Sequence, residues 1–163
     1  MLFKLSLLIR KYILNVIFKW QKFGIWSSGG IGSAILCYHD ISKRNWDWSV
    51  TPKEFERQAQ YLVNVGKVVS VGEILSAKKS NKSKFAITFD DGYESVYKEA
   101  FPILSKYNLT ACVFIVGEGK ANDLLDNAIL MNKKQIMRLK KAGWEIGYHT
   151  CLHRNLQKLS TKD

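Results

Sequence analysis

The sequence predicts an α/β fold in which parallel strands build a sheet or barrel, preceded by an amphipathic N-terminal helix. Short, nearly continuous apolar runs alternate with stretches of helical periodicity, the pattern of strands covered on both faces by crossover helices. Several of those runs end in histidine or aspartate, and a basic, apolar stretch at the N-terminus is set off by a Ser/Gly-rich joint.

Runs 34–38, 85–89, 111–116 and 144–148 read as strands. Between the first two, Phe55, Ala59, Tyr61 and Leu62 give a helical apolar face to a segment that begins at Thr51 or Pro52 and ends at Val65. Pro52 suits its first turn and Gly66 its end. Segments 93–106 and 132–141 repeat the helical period, and a short strand at 68–70 followed by a helix at 71–78 continues the β-α order. Such repeated units give a parallel sheet.

A chain of 163 residues with 47% hydrophobic residues and two prolines suits one folded domain, because it has apolar surface enough to offset the entropy of ordering. The domain is expected to occupy residues 31–163, after a helix and joint at residues 1–30. Three cysteines, Cys37, Cys112 and Cys151, cannot all pair within one chain and show no CxxC spacing. Each is therefore expected to act as a small buried hydrophobe rather than as a disulfide partner or zinc ligand.

The net charge of +11 favours a polyanionic surface of some kind. Five of those charges, Lys4, Arg10, Lys11, Lys19 and Lys22, lie in the first 22 residues with no acidic residue among them. Lys133, Lys134, Arg138, Lys140 and Lys141 alternate with apolar positions as a solvated helix face does, so no nucleic-acid partner is expected.

Residues 1–26 contain no uncharged run near the roughly 18 to 20 residues that span a bilayer, and no small-x-small cleavage site follows the apolar run at 5–9. On a helix, Lys4, Lys11, Asn15, Lys19 and Lys22 fall within an arc of roughly 80°, interrupted by Leu8, while apolar groups fill most of the rest. A membrane surface is the expected partner: lysines reach phosphates while Phe3, Ile9, Trp20 and Phe23 enter the acyl boundary. Packing of the same helix on its own domain or on another protein is the competing expectation.

The strand ends carry the chemistry. Tyr38 is followed by His39 and Asp40, Phe89 by Asp90, Asp91 and Gly92, and Tyr148 by His149, Thr150, Cys151, Leu152 and His153. In a parallel barrel all strands open on one face, so these groups converge although they are far apart in sequence. All three histidines of the chain belong to this set. The plain alternatives are an Asp-Gly turn that caps a helix and histidines on a solvated loop.

Thr88-Phe89-Asp90-Asp91-Gly92 and His149-Thr150-Cys151-Leu152-His153 resemble the TFDDG and H-[ST]-x-x-H motifs of the polysaccharide deacetylases with the NodB-homology domain. The similarity runs from about residue 35 to 159 and includes the 111–114 strand and the 142–147 approach to the histidines. The resemblance implies that Asp91, His149 and His153 bind the metal and that Asp90 is the general base. It implies an N-acetylated polysaccharide as substrate, poly-N-acetylglucosamine or similar. One carboxylate and two imidazoles suit Zn²⁺, with Co²⁺ or Ni²⁺ as alternatives, and leave a position open for water. Gly92 permits the turn that aims both aspartates.

Leu36-Cys37-Tyr38-His39, followed by the 51–58 helix start, resembles the permuted poly-N-acetylglucosamine branch, which implies His39 as the acid that protonates the leaving amine. Trp46 and Trp48, on the loop after that strand, are candidates for stacking on sugar rings or for contact with lipid.

The family pattern continues past its second histidine with a further strand and an Arg/Tyr-Pro motif, whereas this sequence stops at Asp163. The expectation is thus a partial, distorted barrel with roughly the first five of seven or eight strands. A catalytically inactive glycan-binding or membrane-associated module is the second functional expectation. The unpaired cysteines suit a reducing compartment, while the family's polymers lie outside the cytoplasm, so membrane association is expected with the face left open, the extracytoplasmic side being suggested by the resemblance alone.

Overall fold

The computed structural model describes residues 33–76, 83–117, 129–151 and 153. The N-terminal helix and joint expected at residues 1–30 lie outside them, as do residues 77 and 78 of the expected second helix.

Strands β1 (Ala34–Tyr38), β2 (Asp40–Ile41) and β3 (Ser49–Val50) open the chain. Helix α1 (Pro52–Val65), β4 (Lys67–Val68), helix α2 (Val71–Ser76) and β5 (Lys84–Phe89) follow. A π-helical turn, Val96–Ala100, leads into α3 (Phe101–Lys106), and β6 (Cys112–Ile115), α4 (Lys133–Lys141) and β7 (Glu145–Tyr148) complete the series. The main sheet has the order β1-β5-β6-β7, with β4 beside the start of β5, and every pair is parallel. β2 and β3 form a separate parallel pair. This is the arrangement of a partial (β/α) barrel.

The chain's own caps define the helices. Thr51 Oγ1 accepts the Glu54 N–H at 3.3 Å and Pro52 fills the first turn of α1. Gly66 closes α1, but in extended rather than left-handed backbone. Its missing side chain serves a close approach, since a Cβ there would stand 2.5 Å from the Ser83 carbonyl and 2.6 Å from the Phe85 ring. The expected strand at 68–70 shifts to β4, because Ser70 caps α2 instead: its Oγ accepts the Glu73 N–H at 3.0 Å. Asn132 and Gln135 form a reciprocal capping box at the start of α4.

The expected regular helix at 93–106 is interrupted. Phe101 donates its N–H to the Val96 carbonyl, five residues back, and Pro102 follows. In a regular α-helix Pro102 would leave the Lys98 carbonyl without a donor and press its ring against it, and the wider turn relieves both.

One side of the sheet is sealed by aromatic packing. Phe55 from α1 lies 5.1 Å from Tyr38 and 5.6 Å from Phe89, while Phe89 stacks on Trp144 at 5.8 Å. The buried Tyr38 hydroxyl donates to Gln58 Oε1 at 2.8 Å. The opposite side is different. β5 is buried from Phe85 to Phe89, as expected for a strand covered on both faces, but β1 is an edge strand and exposes Ala34, Ile35 and Cys37. Cys37 is therefore not the buried hydrophobe that the apolar run suggested, and Cys151 is exposed as well; of the three only Cys112 is buried, and no disulfide joins any of them.

Candidate metal site

The ladder between β1 and β5 runs one residue past the strand, with Asp90 donating its N–H to the Tyr38 carbonyl at 2.8 Å. The chain then reverses through two residues in the left-handed region, Asp91 with φ 68° and Gly92 with φ 76°. For Gly92 this conformation is free, and its lack of a side chain admits Ile115, whose Cγ2 would be 3.0 Å from a Cβ. For Asp91 it costs on the order of 1 to 2 kcal/mol. The surrounding chain holds the turn in place: Met131 donates to the Gly92 carbonyl at 2.9 Å and Glu94 to the Ile129 carbonyl at 2.7 Å.

The histidines arrive by a similar device. His149 extends the β6–β7 ladder by donating its N–H to the Ile115 carbonyl at 2.8 Å. Thr150 and His153 take φ values of 62° and 52°; the Thr150 carbonyl accepts from Gly117 N–H at 3.1 Å and its Oγ1 from His153 N–H at 2.8 Å. This folded loop returns His153 to the side of His149, with ring centroids 5.3 Å apart.

Asp91, His149 and His153 each offer a ligand atom within 4.8 Å of the others. Asp91 is buried and both imidazoles are partly exposed, so the cluster opens on one side. Asp91 Oδ1 has no hydrogen-bond donor although it is sealed from solvent, and His153 Nδ1 is likewise buried without a partner. Donors on a tetrahedron of about 2.1 Å radius stand roughly 3.4 Å apart, and His149 Nε2 and His153 Nε2 lie 3.4 and 3.2 Å from Asp91 Oδ1. An acceptor oxygen facing two ring nitrogens with no hydrogen bond is an arrangement that a shared divalent cation would satisfy.

Asp90 stands beside this cluster rather than in it. Its Oδ2 accepts from Cys37 Sγ at 3.2 Å. Desolvation first, and Asp90 second, push the Cys37 thiol up to about 11. At the neighbouring strand end His39 lies among aromatic rings, 5.0 Å from Trp48 and 6.3 Å from Trp46, and Trp46 in turn meets Tyr93 edge-on at 5.8 Å. The pairing of Tyr38 with Phe89 and of Ile115 with Tyr148 brings all three strand ends to one edge of the sheet.

The sequence reading named two further residues at this edge without finding their surroundings. Cys37 alternates with Leu36 and Tyr38 on the uncovered face of an edge strand, which the apolar run concealed. Asp40 is buried and accepts hydrogen bonds from three serine hydroxyls. Its place directly after His39 was the one available signal, because Ser95 is remote in sequence.

Comparison with known proteins agrees with this geometry. The polysaccharide deacetylase family model matches residues 77–163. The poly-beta-1,6-N-acetyl-D-glucosamine N-deacetylase of Staphylococcus aureus is 35% identical over 130 residues, covering 76% of this chain and 44% of that protein. The putative polysaccharide deacetylase YxkH of Bacillus subtilis is 31% identical over 131 residues, covering 77% of this chain and 45% of that protein. Among solved structures, IcaB from Ammonifex degensii aligns with a TM-score of 0.65 at 28% identity, covering 74% of this chain and 53% of that chain. The chain thus spans less than half the length of these curated relatives.

Proposed function

The chain belongs to the polysaccharide deacetylase family, and we propose that it carries the metal-binding and acid–base residues of an N-deacetylase acting on a polymer of N-acetylhexosamine. Poly-N-acetylglucosamine is the favoured polymer, because the Staphylococcus aureus relative is named for it. The observation that carries the reading is the convergence of Asp91, His149 and His153 around an orphaned, buried carboxylate oxygen.

Asp91, His149 and His153 would hold the cation, with Zn²⁺ the first candidate and Co²⁺ or Ni²⁺ the alternatives for this mixed oxygen and nitrogen donor set. When bound, such an ion supplies Lewis-acid polarisation of the acetamide carbonyl and makes a water more acidic. Asp90, next in chain to a ligand but not itself one of the three, would take the proton of the attacking water. His39, at the adjoining strand end, would deliver a proton to the departing amine. Trp46 and Trp48 flank His39 and offer flat apolar faces to a sugar ring.

Residues 1–26 would rest on an anionic membrane surface through their basic stripe, a reading that rests on the sequence pattern, whereas the extracytoplasmic side is suggested by the family alone. No helix among the described residues is long and apolar enough to cross a bilayer. Sedimentation with anionic vesicles should retain the whole chain and release a form lacking residues 1–26.

The enzymatic reading is tested by acetate release from N-acetylglucosamine oligomers with and without added Zn²⁺, comparing the chain with Asp90→Asn and His149→Ala. Release should depend on the metal and fall by about 10²-fold or more in Asp90→Asn, the scale of general acid–base catalysis. A parent rate no higher than that of either variant removes the reading.

A further inference from the structure

We propose that Asp40 is a positioning residue, a buried acceptor that holds the Trp46–Trp48 loop beside His39 and so builds the sugar-binding wall of the site. The proposal rests on the deacetylase reading for its ligand, but not for the loop geometry.

Asp40 begins β2 immediately after His39 and is only 3% exposed. Both of its oxygens are occupied. Oδ1 accepts from Ser95 Oγ at 2.6 Å, and Oδ2 accepts from Ser49 Oγ at 2.6 Å and from Ser42 Oγ. Ser42 and Ser49 bracket the loop that carries both indoles, and Ser95 lies in the helical segment that follows the Asp91-Gly92 turn. One side chain thereby ties the loop at its two ends and fastens it to the chain beside the metal cluster.

Each serine is itself engaged twice. Ser95 Oγ accepts the Ile41 N–H at 3.3 Å and Ser42 Oγ the Arg44 N–H at 3.1 Å, while Ser49 donates its N–H to the Trp46 carbonyl at 3.0 Å. The last bond draws the backbone between Trp46 and Ser49 into a turn and sets Trp48 against His39. No cation takes part among the described residues, so the clamp depends on hydroxyl donors alone, and a buried carboxylate satisfied this way is sensitive to the loss of any one of them. Trp48 remains 49% exposed, so the loop is fixed in place without being covered. A rigid, solvent-facing aromatic beside a proton donor suits a sugar ring whose stacking then costs little ordering.

The test compares the complete chain with Asp40→Ala, Asp40→Asn and Ser95→Ala, reading the ¹⁵N indole resonances, Zn²⁺ affinity, and KM and kcat for N-acetylglucosamine oligomers. The Trp46 and Trp48 resonances should shift and broaden in Asp40→Ala and Ser95→Ala while that of the buried Trp144 stays in place. Asp40→Asn, which keeps one acceptor oxygen, should restore them in part. KM should rise about tenfold, the scale of one lost preorganising contact, with a smaller change in kcat and with Zn²⁺ affinity unchanged. Indole resonances and KM identical to the parent's in both Ser95→Ala and Asp40→Ala overturn the proposal. If Asp40→Ala loses the Trp144 resonance as well, it has unfolded and Ser95→Ala decides. If the parent chain releases no acetate, the deacetylase reading fails separately, and the indole resonances still judge the clamp.

Discussion

Asp91 combines a left-handed backbone with a carboxylate oxygen that is buried and has no donor. Both features cost stability in the free protein, and both are expected where a ligand residue is held ready for a cation. Asp91→Gly should therefore leave the metal-free fold as stable as the parent or raise it by about 1 kcal/mol, since glycine relieves the backbone strain. The same substitution should weaken Zn²⁺ binding by on the order of 100-fold or more, at least the cost of losing a supporting partner of a ligand. Thermal unfolding in EDTA and competitive zinc titration check the two halves, and strong destabilisation of the metal-free form would contradict the strain assignment. At Cys37 the thiol, pushed up to about 11 by desolvation and by Asp90, stays protonated at pH 8 although the residue is exposed. Its alkylation by iodoacetamide should be slow at pH 8 and accelerate only as pH approaches 11, read by mass spectrometry of the modified peptide. Asp90→Asn should move that acceleration to lower pH. The meeting of Asp91, His149 and His153 was legible in the sequence because they sit in two compact motifs at strand ends. Cys37 and Asp40 were not, since exposure on an edge strand and contact with a distant serine are properties of the folded chain.

Element boundaries were legible wherever the sequence spelled both period and cap. Asn132 and Gln135 mark the start of α4, and Thr51 with Pro52 marks the start of α1. The π-helical turn at Val96–Ala100 was signalled only by Pro102, and periodicity alone concealed it. This helical segment is joined to α4 by Glu94, which accepts from Gln135 Nε2 at 2.9 Å and pairs with Lys98 at 2.7 Å. Hydrogen bonds from Lys98 and then from Gln135 hold the Glu94 carboxyl below its ordinary range. A carboxyl lowered by folding stabilises the native state above its unfolded pKa, and the contribution disappears as pH falls through the folded value. Glu94→Gln should thus lower the melting temperature at pH 7, by an amount set by a largely surface pair of up to about 1 kcal/mol, and make no difference at pH 2. A gap between the two proteins that persists unchanged into acid would mean that Glu94 acts through packing instead of charge. Because the segment also carries the backbone bonds that hold the Asp91-Gly92 turn, the pairing links helix stability to the metal cluster.

Across the whole domain, parallel pairing is what turns separated motifs into one site. Tyr38, Phe89, Val113 and Ile146 are level with one another through successive registers, and β6 and β7 run two residues further to Ile115 and Tyr148, so the residues that follow β1, β5 and β7 emerge at a common edge. That convergence was predictable from β-α alternation, whereas the uneven cover of the sheet was not. Apolar runs do not reveal which strand lies at an edge, and β1 shows Ile35 and Cys37 to solvent while Tyr148 of β7 is 80% exposed. The ligands come from the ends of β5 and β7, which do not pair with each other and are separated by β6. A cation shared by Asp91, His149 and His153 would therefore cross-link the sheet over its middle strand and stabilise only the folded form. At a free Zn²⁺ concentration 100 times its dissociation constant, the gain is about 2.7 kcal/mol, which for a domain of this size raises the melting temperature by roughly 5 to 10 °C. EDTA should reverse the shift, and His149→Ala should abolish it with little change in the melting temperature of the metal-free protein, because the partly exposed His149 ring faces Asp91 Oδ1 at 3.4 Å without hydrogen-bonding it. A parent chain whose melting temperature ignores saturating Zn²⁺, Co²⁺ and Ni²⁺ alike would show that the three side chains meet without sharing an ion.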